Sequence, residues 1–303
     1  MTPGAALARA AARAAGAEPD GAELVECTAA AIAAAWHVER LTGTVRAGGA
    51  VRAFTMVRKT CRPLETGPHA AAARDPAHWA YWRREPLAYD TGAVPRGPDL
   101  AAPECFGVSG GIVYLADAPG PPESPALAAR RLGAWQAGAA PPRVPWLAAH
   151  QLAQRVAATD AAGGLDWSAV DAPAAAEDVW RRRGALLAAL AAVPVVLCHG
   201  DFHAGNLVAG DGVTIVLDWA TLGAGPAGSD LAHLALSCGE DLLGAYLQGL
   251  GGAVDAGLAE LGYHATLALT AASRTHWMLA AGVPLPPGYA EAAASSAAAV
   301  ERA

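Results

Sequence analysis

The chain has two textures. From Glu23 to Lys59 apolar and polar residues alternate with the period of two that puts successive side chains on opposite faces of a strand. The runs are Leu24-Val25-Glu26-Cys27, then Trp36 to Leu41, then Val51 to Lys59 after a Gly48-Gly49 turn. In the last run Val51, Ala53, Thr55, Val57 and Lys59 share one face, so Lys59 projects from the end of a strand. Asp75-Pro76 reads as an N-cap and first-turn proline opening a helix, with Trp79, Trp82 and Tyr89 on one side. Two more strand-like runs, Cys105-Phe106-Gly107-Val108 and Ile112-Val113-Tyr114-Leu115, precede the linker signal Ala118-Pro119-Gly120-Pro121-Pro122. Beyond it the pattern turns helical over 124–136, 146–158, 176–191 and from Ser229 onward, with 292–299 a low-complexity helical tail. The expected class is α+β: a small β-rich lobe over 1–117 and a larger, mostly helical lobe over 118–303, with 1–20 a frayed or helical extension.

One segment interrupts the helical half. It reads C-H-G-D-F-H-A-G-N-L-V-A-G-D-G-V-T-I-V-L-D-W from Cys198 to Trp219. Val195-Val196-Leu197 is a short strand that delivers His199-Gly200-Asp201 to a loop. Thr214-Ile215-Val216-Leu217 is a second strand ending at Asp218, with Asp211-Gly212 as its hairpin turn. Two strand ends thus bring Asp201, Asn206 and Asp218 together. Phosphoryl transfer from a nucleotide needs such a set: a carboxylate at the attacking hydroxyl, with an amide and a second carboxylate to hold magnesium.

Composition narrows the alternatives. The chain has 303 residues and is 53% hydrophobic, but alanine inflates that fraction. Its longest apolar stretch, from Ala185 to Cys198, is too short to span a bilayer and contains Pro194, so no membrane role is expected. Five scattered cysteines without a C-x-x-C pair point to reduced thiols in a cytoplasmic protein. A formal charge of -7 argues against nucleic acid as a partner. Lys59 is the only lysine among 21 basic residues, as expected where a compact point charge is required. It lies in a strand-like run, so no G-x-x-x-x-G-K-[ST] phosphate loop exists.

The segments His199-Gly200-Asp201-Phe202-His203-Ala204-Gly205-Asn206, Val216-Leu217-Asp218-Trp219 and Gly228-Ser229-Asp230-Leu231-Ala232 resemble the signature of the aminoglycoside phosphotransferase and choline kinase superfamily, small-molecule kinases of protein-kinase-like fold. The resemblance implies ATP (or GTP) and Mg2+ as cofactors and a small-molecule hydroxyl as acceptor. It implies Asp201 as the group that orients and deprotonates that hydroxyl, and Asn206 and Asp218 as magnesium ligands. Lys59 would pair with the α- and β-phosphates and with a helix glutamate, for which Glu85 is the candidate, although Pro86 directly follows it. His199 would buttress the catalytic loop, and Asp230 would accept its backbone hydrogen bonds or cap the helix at Leu231. Leu115, Ala116 and Asp117 would offer backbone groups to the base. The Ala-rich stretch from Thr28 to Ala35 stands where many kinases place a Gly-rich phosphate lid.

Only eleven residues separate Asp218 from Asp230, no A-P-E follows, and Gly200 replaces the arginine of H-R-D. All three features turn the expectation from proteins to a small molecule. Acceptor candidates are His203, Glu240, Asp241, Tyr246, Tyr263, His264 and Trp277. The acids of the C-terminal third are scattered, favouring a neutral or modestly charged alcohol or sugar-like metabolite, with amino-alcohol and antibiotic acceptors open. A pseudokinase-type binding module is the competing class. Gly223-Ala224-Gly225-Pro226-Ala227-Gly228 fits a dinucleotide fingerprint, but no second strand ending in an acid follows. Gly107-Val108-Ser109-Gly110-Gly111 fits a nucleophile elbow but leads into a strand, so it reads as a hairpin turn.

Overall fold

The computed structural model describes residues 2–32, 37–67 and 69–302. The smaller lobe contains α1 (Pro3–Ala14), β1 (Glu23–Ala31), β2 (Val38–Ala47), β3 (Ala50–Thr60), α2 (Arg84–Asp90), β4 (Leu100–Ala101), β5 (Cys105–Ser109) and β6 (Ile112–Leu115). Five of these strands form one antiparallel sheet in the order β1-β2-β3-β6-β5. Its register sets Lys59 opposite Val38 on one side and Val113 on the other. Phe54 and Met56 point to the opposite face and are buried with Leu41 and Val45 beneath α1. The extension expected to be frayed or helical is therefore a helix, and a packed one. Its alanines at 6, 8, 10, 11 and 12 are buried, and their small side chains let the helix lie close to the sheet. Arg13 Nη1 fixes the helix by donating to Phe106 O at 2.7 Å.

The helix expected from Asp75 does not form there. Residues 75–83 make successive turns, with Asp75 Oδ1 accepting from Ala77 N at 3.0 Å, and α2 starts at Arg84. This start resolves the conflict at Pro86. The proline lies in the first turn of α2, where no N–H has an intrahelical partner, so the ring costs no hydrogen bond and Glu85 stays helical.

The larger lobe runs through α3 (Pro125–Gly138), α4 (Gln151–Ala161), α5 (Ala174–Arg181), α6 (Arg183–Leu190), β7 (Val195–Cys198), β8 (Leu207–Ala209), β9 (Thr214–Val216) and β10 (Gly223–Pro226). It ends with α7 (Ser229–Cys238), α8 (Leu243–Leu250), α9 (Ala256–Ala280) and α10 (Tyr289–Arg302). The expected helix over 176–191 is two helices broken at Arg182, and α4 begins at Gln151 because the His150 side chain caps it. The low-complexity tail is not loose either: Ala293 and Ala297 of α10 are fully buried, packed in one cluster with Ala265, Ala268 and Leu269 of α9. The glycine-rich stretch from Gly223 is strand β10, antiparallel to β7. A dinucleotide fingerprint needs a parallel βαβ unit, so that reading falls.

Among the described residues, no helix is long and apolar enough to cross a membrane. The core centres on Leu132, Phe202, Trp219, Leu231 and Tyr246, directly under the loop from His199 to Asn206. The two lobes interlock as well as touch. β4 pairs in parallel with β9, placing a piece of the first half in the second lobe's sheet. The Pro-rich linker is tied down at its end, where Pro121 O accepts from Ala209 N at 3.0 Å.

Arg84 is the least expected tie. Its side chain has no solvent exposure and pairs with no carboxylate among the described residues. Instead it donates to Trp79 O (2.6 Å), His78 O (2.8 Å), Pro76 O (2.9 Å) and Trp146 O (2.8 Å), with Ala220 O farther off at 3.5 Å. Burial pushes its pKa down to about 10, so it stays charged at neutral pH. One planar fork thus gathers the turn at 76–79, the loop before α4 and the turn after Asp218. We predict that Arg84→Met lowers the urea-unfolding free energy by about 3–5 kcal/mol, because several buried carbonyls lose their donor together. Arg84→Lys should recover little of this, since a point charge cannot serve four carbonyls. Midpoints within experimental error of the parent would refute this role.

Candidate active site

Strand β7 ends at Cys198, and the loop beyond it is shaped by one buried carboxylate. Asp230, in the first turn of α7, accepts from His199 N (2.7 Å) and Gly200 N (2.8 Å), with Gln136 Nε2 at 3.3 Å. Gly200 has φ +85, and a side chain there would meet the Thr221 carbonyl, so glycine alone fits between the histidine and Asp201. Burial raises the Asp230 pKa to about 6, against the pull of the two N–H donors. His199 is buried too. Its Nδ1 accepts from Asp201 N (3.2 Å), so Nε2 carries the hydrogen and donates to Leu217 O at 2.9 Å. Trp219 packs edge-on at 4.7 Å between ring centres, and burial holds the imidazole below its usual pKa. The ring is a neutral spacer linking the loop to the end of β9.

Asp201 leaves this frame with its side chain 40% exposed, free to face a ligand. Asn206 closes the loop by donating Nδ2 to Asp201 O at 3.0 Å, which turns its side-chain oxygen away from that bond. Asp218 has the left-handed conformation, φ 61 and ψ 72, uncommon outside glycine but tolerated by aspartate. That turn presents its carboxylate to Lys59.

Lys59 stands between two acids. Its Nζ lies 2.5 Å from Glu85 Oε2 and 2.7 Å from Asp218 Oδ1. Glu85 is 1% exposed, and its second oxygen accepts from Trp219 N at 3.3 Å. Burial alone would lower the Lys59 pKa, but the two carboxylates outweigh it and raise the ammonium above its ordinary value. For Asp218, burial pushes up and Lys59 pulls down, with a net shift below the carboxylate range. The pairing expected from sequence is therefore present in the geometry, as are both hydrogen bonds to Asp230.

A cavity of about 310 Å³ opens beside Lys59. Leu115, Ala116 and Asp117 line it from the linker side, Asn206 and Asp218 from the floor, and Ile32 and Val57 from the sheet. Arg40 pairs with Asp117 at its mouth, 2.6 Å from Nε to Oδ2. Of the expected lid, Thr28 to Ala31 continue β1, while 33–35 lie outside the described residues. No cluster of three or more His, Cys, Asp or Glu able to hold a metal ion occurs among the described residues. A hard cation here would rest on Asn206 and Asp218, with ligand phosphates and water completing its shell, as suits magnesium.

The acceptor candidates separate. His203 Nε2 is 3.7 Å from Asp201 Oδ2, while its Nδ1 accepts from Gly205 N. Trp277, 63% exposed, lines a cavity of about 440 Å³ between α4 and α9. Glu240, Asp241, Tyr263 and His264 line a different cavity of about 670 Å³, at the far end of α7. Tyr246 meets neither. It is fully buried, its hydroxyl accepting from Gly228 N and donating to Gln136, because the crossing of α3 and α8 leaves it no path to solvent. Sequence reasoning missed Gln136 and Gln151. In the amide orientation its neighbours require, Gln151 donates to Gly200 O (2.7 Å) and accepts from Arg155 Nη2 (2.9 Å). Neither glutamine sits in a motif, and only the fold brings them to the loop.

Similar architectures are known. The chain resembles a choline/ethanolamine kinase family protein from Mesorhizobium loti, with 19% identity, 91% of this chain and 88% of that one covered, and a TM-score of 0.54. It resembles choline kinase from Streptococcus pneumoniae at 11% identity, covering 92% and 95%, with a TM-score of 0.52. Macrolide 2'-phosphotransferase from Brachybacterium faecium matches at 18% identity, covering 91% and 94%, with a TM-score of 0.50. At such identities these likenesses show the protein-kinase-like fold alone. No curated protein matches the sequence. A family model described as the phosphotransferase enzyme family matches residues 5–264. With its two-lobed fold and a match over most of its length, the chain belongs to that family of small-molecule kinases.

Proposed function

We propose that the protein transfers the γ-phosphate of ATP, with magnesium, to a hydroxyl of a small molecule. The observation that carries this reading is the convergence of Lys59, from the sheet, with Asp218 and Asn206, from the larger lobe, in one cavity that also borders the linker. Lys59 supplies positive charge for the α- and β-phosphates, and Glu85 fixes where that charge stands. Asp117 and its neighbours present backbone groups to the base. Magnesium, when bound, neutralises charge along the phosphates. Asp201 takes the acceptor hydroxyl as a hydrogen-bond donor and aims its oxygen at the γ-phosphorus. As the new O–P bond forms, the bond to the bridging oxygen breaks, ADP departs, and the hydroxyl proton passes to Asp201.

Asp201→Asn is expected to lower kcat for ADP release about 10²–10⁴-fold while thermal stabilisation by magnesium and ATP persists. If the parent protein binds no magnesium–ATP and releases no ADP with any hydroxyl acceptor, the transfer reading is wrong. Binding without turnover would instead establish a nucleotide-binding module.

Glu85→Gln removes one of the two carboxylates that place Lys59. The expected result is a KM for ATP raised about tenfold with the fold intact; an unchanged KM and kcat would contradict the positioning role.

Asp230 gives a pH signature of defined sign. Its folded pKa, about 6, lies above the ordinary 3.8, so the folded chain binds the extra proton. This contribution to stability is full below about pH 4 and is lost as pH rises through about 6. Activity should move the other way, because the ionised carboxylate accepts both loop N–H groups. We expect kcat to rise with a midpoint near pH 6, and the midpoint to shift upward in Gln136→Leu, which loses a donor to that carboxylate. A midpoint unmoved by Gln136→Leu would assign the limb to another group.

A further inference from the structure

The cavity between α4 and α9 has a lining that the transfer reading does not use. Arg155 of α4 and Arg274 of α9 both face it, together with His69, His233 and Thr270. No aspartate or glutamate lines it among the described residues. Acids on flanking segments are engaged elsewhere: Asp160 pairs with Arg183 at 3.0 Å, and Asp166 accepts from Ser168. Two guanidinium groups on one wall repel each other, and no acid among the described residues that line the cavity balances them.

Their setting is that of ligand groups. Arg155 lies 3.8 Å over the Trp79 ring, with Nε and Nη2 on the Gln151 oxygen, and Nη1 has no partner among the described residues. Arg274 has no hydrogen bond or ion pair with any described residue. His69 Nδ1, His233 Nδ1 and Thr270 Oγ1 are buried at the same cavity without a partner. Buried polar atoms are nearly always satisfied, so a cluster of orphans beside two unpaired cations marks a place for an acceptor-rich ligand. Burial holds both histidines below their ordinary pKa, leaving neutral rings that can donate a hydrogen bond. Burial also pushes Arg155 down to about 10, still cationic at neutral pH.

The cavity adjoins the catalytic loop. Gln151 bonds both Arg155 and Gly200 O, and Asp201 is the charge that most counters the burial of Arg155. The acid-lined cavity at Glu240, Asp241 and Glu260 meets the same loop through Ser237, whose Oγ accepts from Ala204 N at 3.0 Å, a neutral contact three residues past Asp201. Guanidinium forks match the paired oxygens of carboxylates and phosphates. Trp180, Trp277 and Leu165 add apolar wall for a carbon skeleton.

We infer that the acceptor alcohol carries an acidic group, a carboxylate or a phosphate, which Arg274 and Arg155 hold in this cavity while its hydroxyl faces Asp201. The inference rests on the phosphotransferase reading and narrows the neutral or modestly charged acceptor expected from sequence to an anionic one. It separates this chain from kinases whose acceptors are cationic.

The test uses matched probes: gluconate against gluconamide, glycerol 3-phosphate against glycerol, and choline as a cation. Binding is measured by calorimetry and transfer by ADP release. The expected result is that at least one acid binds and is phosphorylated with kcat/KM tenfold or more above its neutral counterpart. The carboxylate and phosphate pairs show which acid is preferred. Arg274→Gln should raise the KM for that acid about 10- to 100-fold, the worth of a charge-assisted hydrogen bond, with a smaller effect on its neutral counterpart. Stabilisation of the variant by magnesium and a non-hydrolysable ATP analogue reports that it is folded. Preference for choline or the neutral probes in a protein that releases ADP overturns the inference and leaves the transfer reading standing. Acid binding that depends on Arg274 but gives no ADP with any acceptor overturns both the transfer reading and the role of the acid as acceptor. Acids that bind no better than their counterparts overturn the anion site itself.

Discussion

One ammonium group holds the two lobes in register. Lys59 comes from the last strand of the sheet's meander, Glu85 from a helix that rests on the larger lobe, and Asp218 from the end of a hairpin within it. Lys59 Nζ touches both acids at under 3 Å. Glu85 is buried, so removing the lysine would leave a carboxylate in a low-dielectric site, a change that costs more than the ion pair gains. The geometry of the cleft therefore depends on an arrangement that is expensive to leave incomplete. It also contains a built-in exchange. The Asp218 oxygen that Lys59 now occupies belongs to the residue proposed to hold magnesium. Nucleotide binding would draw the ammonium from Asp218 toward the phosphates.

The catalytic loop obeys the same economy. A single buried aspartate orients two peptide N–H groups, a neutral histidine spans from the loop to the hairpin, and a glycine with positive φ lets the chain turn between them. Each device is local and short. Together they present Asp201 and Asn206 without committing either side chain's oxygens to the fold.

This loop was legible because its chemistry is written in consecutive residues. His199, Asp201, Asn206, Asp218 and Asp230 fall within one stretch, and the strands that deliver them are short apolar runs. The distant partner Glu85 was harder. Pro86 is a helix breaker by local rules, and only the discovery that α2 starts at Arg84 shows why it breaks nothing. That α1 is packed could not be read from sequence because alanine carries a weak burial signal, although it suits close helix–sheet approach. The two arginines of the second cavity were invisible for another reason. They lie 119 positions apart, on helices whose facing sides only tertiary packing reveals. Scattered acids in the C-terminal third could not point to them either, because counting along a chain ignores which side chains meet.

Arg84 and Glu85 are neighbours in sequence, and that adjacency has a mechanical result. Arg84 binds α2 to the backbone at Trp146, and Glu85 receives the Trp219 amide, so both fasten this helix to the larger lobe. The part of the smaller lobe not fastened in this way is the five-stranded sheet with α1 on its back. Any opening of the cleft must draw Lys59 away from Glu85 and Asp218 in the same motion. The ion pair thus joins the sheet to a helix fastened on the larger lobe, and a hinge motion between them would break both of its contacts at once.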